Sequence, residues 1–151
     1  MQAVHSKDWM IHTMKIGNIA RLTLIILLIV VLPGVSHPVN SLNWYSFDEG
    51  MALGNSRGKK VFIHFWAEWC RYCHKMEKKT FRNPAVVAYL NENFIAVKVD
   101  TDREQKLADK LGIRSLPDNW FVSETGERLG YRQGYIPPDT FIKILKNVNK
   151  Q

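Results

Sequence analysis

The chain of 151 residues has only two cysteines, Cys70 and Cys73. A disulfide between residues this close would close a very short loop and stabilise the fold little, which argues against a purely structural bridge. No second cysteine pair is available for a zinc site, and no cysteine lies near residue 36 to carry a lipid anchor. The sequence also has no internal repeats, low-complexity tracts or interdomain linkers. Its length and its 46% hydrophobic content suit one domain with a buried core.

Long apolar runs are scarce as well. The longest, residues 22–32, has 11 uncharged residues, whereas a membrane-spanning helix needs roughly 18–20. Basic residues precede the run and small residues follow it, which is typical of a signal peptide over residues 1–36. We therefore expect an exported domain of residues 37–151, in a compartment where disulfides persist. Met14 is an alternative start, and an uncleaved membrane anchor is the alternative to cleavage.

Acidic residues are fewer than basic ones, and the formal net charge is +7. Without residues 1–36 it is +5, because 18 basic and 13 acidic residues remain. Four of the basic residues lie close together in the sequence just after the cysteines, with the acidic Glu77 between the first and the second of them. We expect a moderately basic surface, which does not favour nucleic-acid binding and leaves an acidic protein partner open. The cluster consists of Lys75, Lys78, Lys79 and Arg82.

Hydrophobic periodicity and capping residues predict elements in the order α, β, α, α, β, α, β, β, α. A capping box at residues 46–49 is expected to open the first helix, and Asn83 followed by proline a later one. An early β-α-β unit and a late hairpin predict an α/β fold with helices on both faces of a mixed sheet. The predicted helices cover about residues 47–56, 70–79, 84 onward, 101 or 102 to 111, and 137–148; the predicted strands cover residues 61–66, 94–99, 119–123 and 128–132, after an extended lead-in over residues 37–45.

The segment from Trp69 to His74 follows the predicted central strand and is compatible with three chemistries. Cys-x-x-Cys after a strand is typical of a redox dithiol, whereas Cys-x-x-Cys-His is typical of covalent haem attachment. Haem would need a second axial ligand, and a small cytochrome is normally helical, whereas this chain has at least four strand-like runs. A zinc site that adds His64 would need ligands from a strand and a helix start to converge. A redox dithiol is therefore preferred, with a c-type cytochrome and a non-catalytic peptide-binding module as alternatives.

The predicted helix after the central strand places Cys70 in its first turn. Unpaired backbone amides and the positive end of the helix dipole favour a thiolate there, and Arg71 adds positive charge. Cys73, one turn further on, is expected to be more enclosed. These positions suit Cys70 as the nucleophile that attacks a disulfide and Cys73 as the thiol that resolves the mixed disulfide. Trp66, Trp69 and Tyr72 are expected to divide between the core and the apolar rim around Cys70.

Two stretches resemble the thioredoxin superfamily: residues 65–73, Phe-Trp-Ala-Glu-Trp-Cys-Arg-Tyr-Cys, and residues 111–117, Leu-Gly-Ile-Arg-Ser-Leu-Pro. Residues 73–84 look most like the branch that contains the periplasmic C-terminal domain of the transmembrane thiol:disulfide interchange reductase. The resemblance covers roughly residues 42–148 and implies a thioredoxin fold. It also implies a periplasmic oxidoreductase that reduces protein disulfides and receives electrons from a membrane-bound or soluble thiol donor. We expect a monomer that needs no cofactor or metal.

The resemblance also implies roles for residues away from the cysteines. Pro117 is expected to be cis, so that the Leu116 backbone can pair with a substrate strand. His64 stands where the family usually has a buried Asp, and Asp118 where it usually has Thr. His64 is expected to be either a buried neutral imidazole or a proton relay beneath the second cysteine. His74 is expected to be an exposed helix residue that tunes thiol acidity. The candidates for substrate contact are Trp69, Arg71, Tyr72 and Leu116.

Overall fold

The computed structural model describes residues 41–151, which form five strands and five helices. The signal peptide predicted for residues 1–36 lies outside the described residues. Within residues 41–151, no helix has both the length and the apolar character needed to cross a membrane. The elements in chain order are β1 (Trp44–Tyr45), α1 (Phe47–Arg57), β2 (Lys60–Trp66), α2 (Arg71–Lys79), α3 (Pro84–Asn93), β3 (Phe94–Asp100), α4 (Gln105–Leu111), β4 (Asp118–Val122), β5 (Arg128–Gln133) and α5 (Pro138–Asn149).

The strands form one mixed sheet in the order β1-β3-β2-β4-β5. β3 is parallel to both β1 and β2, whereas β4 is antiparallel to β2 and β5 is antiparallel to β4. In this register Ile63 of β2 lies opposite Val97 of β3 on one side and Trp120 of β4 on the other. The predicted α/β fold, with a parallel β-α-β unit and a C-terminal antiparallel hairpin, is confirmed.

The short strand β1 is missing from the predicted order. The sequence indicates only an extended lead-in there, because two residues carry no alternating pattern. Trp44 and Tyr45 become a strand by pairing with Ala96 and Val97 of β3, about fifty positions away in the chain. This edge strand therefore depends on tertiary contact rather than on local sequence.

Two helix starts also differ from the predictions. Ser46 is the N-cap of α1, but its side chain accepts no hydrogen bond there; it is exposed, so water can satisfy the free amides. α4 begins at Gln105 rather than at residue 101 or 102, because the Asp100 carboxylate accepts from the amides two and three residues further on, at 3.0 and 3.4 Å, and holds a turn. The predicted cap at Asn83 is confirmed: its Oδ1 accepts from two amides of α3, at 3.0 and 3.2 Å.

β2 is buried on both faces and separates two cores. Phe62 faces the core that holds α2, α3 and α5, and its ring centroid lies 5.1 Å from that of Phe141. Val61, Ile63 and Phe65 face the other core, under α1 and α4. Burying both faces accounts for the nearly continuous apolar run in β2 and fixes the direction in which its last residue points.

Helix α1 packs close to the sheet through two buried glycines one turn apart, Gly50 and Gly54. A Cβ added to Gly50 would overlap a methyl of Val97, and one added to Gly54 would lie 2.5 Å from Cγ2 of Val61. Neither side chain can yield easily, because both valines are fully buried in the sheet. The two glycines therefore set the distance between α1 and the sheet.

We expect Gly50→Ala to lower the free energy of unfolding in urea by about 1 kcal/mol, and by about 2 kcal/mol at most. Overpacking costs about 1–3 kcal/mol, which outweighs the gain of about 1 kcal/mol that alanine ordinarily gives in a helix. Gly130→Ala is the matched control, because a Cβ there meets nothing within 4 Å. Adding Val97→Ala removes the overlap, so the double variant should lose less stability than the two single losses together. If the losses of the two single variants were strictly additive, Gly50 and Val97 would not be in close contact.

Candidate functional site

The two cysteines lie where β2 leads into α2. Cys70 is the N-cap of α2, with an extended backbone, and Cys73 belongs to the first turn of the helix. The two side chains form a disulfide, and their Cα atoms are 5.3 Å apart. Both cysteines are buried in one cluster with Ala67. The end of a buried strand and the start of a helix therefore hold the dithiol in place.

The local electrostatics differ between the two sulfurs. Cys70 Sγ accepts a hydrogen bond from the Cys73 amide at 3.2 Å, as an N-cap acceptor does. It also faces the positive end of the α2 dipole, next to Arg71. Cys70 keeps 4% of its surface exposed, whereas Cys73 is completely buried. In the reduced form these contacts favour a thiolate on Cys70 and leave Cys73 as the enclosed thiol.

A rim of side chains surrounds the disulfide. The Leu116–Pro117 peptide bond is cis, and Leu116 packs against the cysteines. Of the three aromatic residues expected to divide between core and rim, Trp69 and Tyr72 are 70% and 58% exposed, whereas Trp66 is half-buried. The Trp69 indole nitrogen donates to the Asp102 carboxylate at 3.0 Å, which holds the ring beside the loop after β3.

His64 is fully buried in the middle of β2 and lies opposite Asn119 of β4. Its Nδ1 lies 2.8 Å from Asn119 Oδ1. Asn119 Nδ2 donates to the Arg132 carbonyl oxygen at 3.0 Å, so the amide is oriented and Nδ1 of His64 carries the hydrogen. Nε2 is left with a lone pair that has no partner among the described residues. His64 shares its face of β2 with Phe62, and its ring meets that of Phe81 edge-on at 4.9 Å, in the layer that contains α2.

Burial controls the ionisation of two side chains near the site. It lowers the pKa of His64 from 6.5 to about 4; the hydrogen bond with Asn119 opposes this effect, and the charge of Lys98 adds to it. Burial also raises the pKa of the Asp118 carboxyl next to Pro117, although a hydrogen bond from Gln133 lowers it. His64 is therefore neutral at physiological pH, which is compatible with both hypotheses for this residue.

The site includes residues that the sequence did not indicate. Asn119 orients His64, and Asp102 holds Trp69. Lys98 of β3 pairs with Glu77 of α2 at 2.6 Å, and its Nζ lies 4.1 Å from the centroid of the Trp66 ring. The available signal for the His64–Asn119 pair was a polar residue next to the apolar run of each strand. Nothing in the linear sequence indicates the other three contacts.

His74 is half-buried rather than exposed, and its Nε2 lies 2.6 Å from the Glu68 carbonyl oxygen. Nε2 must donate in this bond, so it offers no lone pair to a haem iron or a zinc ion. The cysteines are bonded to each other, and among residues 41–151 no group of three or more His, Cys, Asp or Glu side chains could hold a metal ion. The cytochrome and zinc alternatives thus gain no support.

Comparisons with known proteins point to one family. The sequence model of one protein family, the thioredoxin-like domain, matches residues 47–149. The thiol:disulfide interchange protein DsbD of Photorhabdus laumondii is 29% identical over 113 residues, which are 72% of this chain and 19% of that protein. Spermatogenesis-associated protein 20 of Mus musculus is 33% identical over 78 residues, 51% of this chain and 10% of that protein. The chain therefore spans at most about a fifth of the length of these curated relatives.

The fold is also similar to that of smaller proteins. A thioredoxin from Thermus thermophilus, solved in solution, superposes with a TM-score of 0.65 and 32% identity. The match covers 72% of this chain and 87% of that one. In this chain the shared fold surrounds a Cys-x-x-Cys disulfide at a helix start, beside a cis-proline loop. The chain therefore belongs to the thioredoxin-like domain family.

Proposed function

We propose that this chain is an exported enzyme that reduces disulfides of periplasmic proteins, with Cys70 as the nucleophile and Cys73 as the resolving thiol. The observation that carries this assignment of roles is the asymmetry of the two sulfurs. Cys70 Sγ sits at the start of α2 and accepts a hydrogen bond from the Cys73 amide at 3.2 Å, and Cys70 is the one residue of the pair with exposed surface. A partner can reach Cys70 first, and the same contacts lower the cost of its thiolate.

The reaction transfers two electrons from the chain to its target. The Cys70 thiolate attacks one sulfur of the target disulfide, forms a mixed disulfide and releases the other target sulfur as a thiolate. Cys73 then loses its proton and attacks Cys70 Sγ, which breaks the mixed disulfide and releases the second target thiolate. The products are a reduced target and the Cys70–Cys73 disulfide, so a thiol donor must reduce the chain before the next cycle.

Two observations support the direction and the compartment. DsbD is named a thiol:disulfide interchange protein, and residues 73–84 resemble the branch that passes electrons to periplasmic disulfides. The predicted signal peptide over residues 1–36 would deliver the domain to that compartment. The partners we propose are protein disulfides as substrates and a membrane-bound or soluble thiol as the electron donor, with the chain acting as a monomer.

We propose further that His64 assists the second step by accepting the proton of Cys73. Its Nε2 lone pair has no partner among residues 41–151 and lies on the face of the sheet that packs against α2. The low pKa of His64 means that an imidazolium would be short-lived there, because it would be buried near Lys98. The ring would therefore pass the proton on rather than retain it. Leu116 and Pro117 would offer the backbone that aligns the target beside Cys70.

Serine variants of the two cysteines should separate their roles. Cys70→Ser should reduce insulin no faster than the reaction without protein, because no nucleophile remains at the exposed position. Cys73→Ser should form a mixed disulfide with the target and stop, and mass spectrometry should detect the adduct. Circular dichroism provides the control that both variants fold. If Cys70→Ser gave the trapped adduct instead, the assigned roles would be reversed.

His64→Gln should slow the second step, in which the mixed disulfide is resolved, by at least about tenfold, since positioned proton acceptors typically contribute more than that. Stopped-flow measurements with a fluorescent peptide disulfide give the rates of the two steps. In the Cys73→Ser background, which stops after the first step, His64→Gln should leave the rate of mixed-disulfide formation unchanged. Equal slowing of both steps would indicate that His64 only supports the fold.

Stability should depend on pH through His64. The unfolded chain protonates this residue below pH 6.5, whereas the folded chain does so only below about 4. Between these values the unfolded state holds more protons, so the free energy of unfolding should fall by about 3 kcal/mol as the pH drops. Urea unfolding at pH 7 and pH 4.5 should show a flatter dependence for His64→Gln, in which Asp118 and the other carboxyls are unchanged. If the free energy of unfolding depended equally on pH in the unsubstituted chain and in His64→Gln, His64 would not be a buried neutral imidazole.

A further inference from the structure

One side of α2 forms a basic groove that begins next to Cys70. Its volume is about 640 Å³. Arg71, Lys75 and Lys78 lie four and three residues apart and so share one face of the helix, with Lys79 on the adjoining row. The full lining, which we call the basic groove, consists of Trp69, Arg71, Tyr72, His74, Lys75, Lys78 and Lys79.

The acidic residue that interrupts this cluster in the sequence lies outside the groove. Glu77 is half-buried on the other side of α2, where its carboxylate pairs with Lys98 of β3 at 2.6 Å. Helical periodicity explains the separation, because position 77 points roughly opposite to the row of positions 71, 75 and 78. The groove is therefore lined by cations and aromatic rings, with no carboxylate among its lining residues.

The cations of the basic groove are available to a partner. Within the described part of the chain, the salt bridges join Lys98 to Glu77, Arg103 to Asp100 and Arg114 to Asp109, so no carboxylate neutralises the groove. Lys75 is held in place, with its Nζ 4.2 Å from the centroid of the Tyr135 ring.

The surface on the opposite side of Trp69 carries a net negative charge. Asp102 binds the Trp69 indole there. The lining of this surface has four acidic residues, Glu68, Asp100, Asp102 and Glu104, against two basic ones, Lys98 and Arg103. The sign of the surface charge therefore changes from one side of the exposed Trp69 ring to the other, close to Cys70. A partner with an acidic segment would be attracted to the α2 side and repelled from the β3 side, which would fix the direction in which it crosses the site.

We propose that the basic groove binds an acidic segment of the disulfide-bearing protein that Cys70 attacks. This proposal rests on the proposed function and adds the chemistry of the substrate to it. A protein substrate fits better than an anionic membrane because the groove is concave, is flanked by Trp69 and Tyr72, and starts at the residue that follows the nucleophile. Steering by exposed charges raises association rates and fades as salt shortens the screening length.

Matched peptides test the charge preference. Three synthetic peptides would share one disulfide ring and differ only in flanks of Asp/Glu, Ser/Gln or Lys. At about 10 mM ionic strength, kcat/KM for the acidic peptide should exceed that for the Ser/Gln peptide by about tenfold, and the Lys peptide should be the slowest. At about 0.5 M salt the acidic advantage should fall below about threefold.

A pair of double variants tests the location. Lys78→Gln with Lys79→Gln removes two charges from the groove and should reduce the acidic advantage to about threefold or less. Lys143→Gln with Lys146→Gln removes the same net charge from exposed positions of α5 that do not line the groove, and it should keep the advantage. An equal loss in both double variants would mean that net charge, not the groove, selects the substrate, and it would overturn the proposal.

A neutral small disulfide, bis(2-hydroxyethyl) disulfide, separates failure of this proposal from failure of the proposed function. If the reduced chain did not react with it, the oxidoreductase function would fall, and the groove proposal with it. If the chain reduced it but treated the three peptides alike, only the groove proposal would be overturned. Equal peptide rates together with sedimentation on phosphatidylglycerol vesicles would identify a lipid surface as the occupant and would equally overturn it.

Discussion

The site depends on the burial of β2 on both faces. Each face of this strand packs into a separate core, so neither the register nor the direction of its last residues can change without exposing apolar side chains. The chain leaves the strand at a fixed point and reaches the first turn of α2 within a few residues. Cys70 is therefore placed at the helix start by the packing of residues that take no part in its chemistry. The amide that meets its sulfur at 3.2 Å is a consequence of that packing.

One polar contact crosses this apolar interior. His64 and Asn119 are paired by the register of β2 and β4, and Asn119 also donates to a carbonyl oxygen of β5. The pair therefore links three neighbouring strands of the sheet. Removing either partner would leave a buried polar group unsatisfied, which costs more than the bond contributes. Such a contact favours this pairing of the strands over other pairings that would bury a similar area of apolar surface.

Much of the fold was predictable because its signals are local. The apolar run of β2, the Asn83 cap and the turn before β5 each lie within a few residues. β1 was not predictable, because its two residues become a strand only through β3, and the start of α4 depends on how Asp100 folds back on its own loop. In the site, the enclosure of Cys73 followed from helix geometry. The sequence did not predict that His64 pairs with Asn119 or that Glu77 pairs with Lys98, because each contact joins elements that are distant in the sequence.

The short span of the disulfide has a consequence for how partners recognise this domain. Cys70 and Cys73 lie in the same helical turn, with Cα atoms 5.3 Å apart. Opening so small a ring releases almost no constraint on the chain. The oxidised and reduced forms should thus present nearly the same surface to other proteins. An electron donor and a substrate would then compete for the same face of the domain. Only the redox state of Cys70 would distinguish the oxidised form, which the donor reduces, from the reduced form, which attacks the substrate.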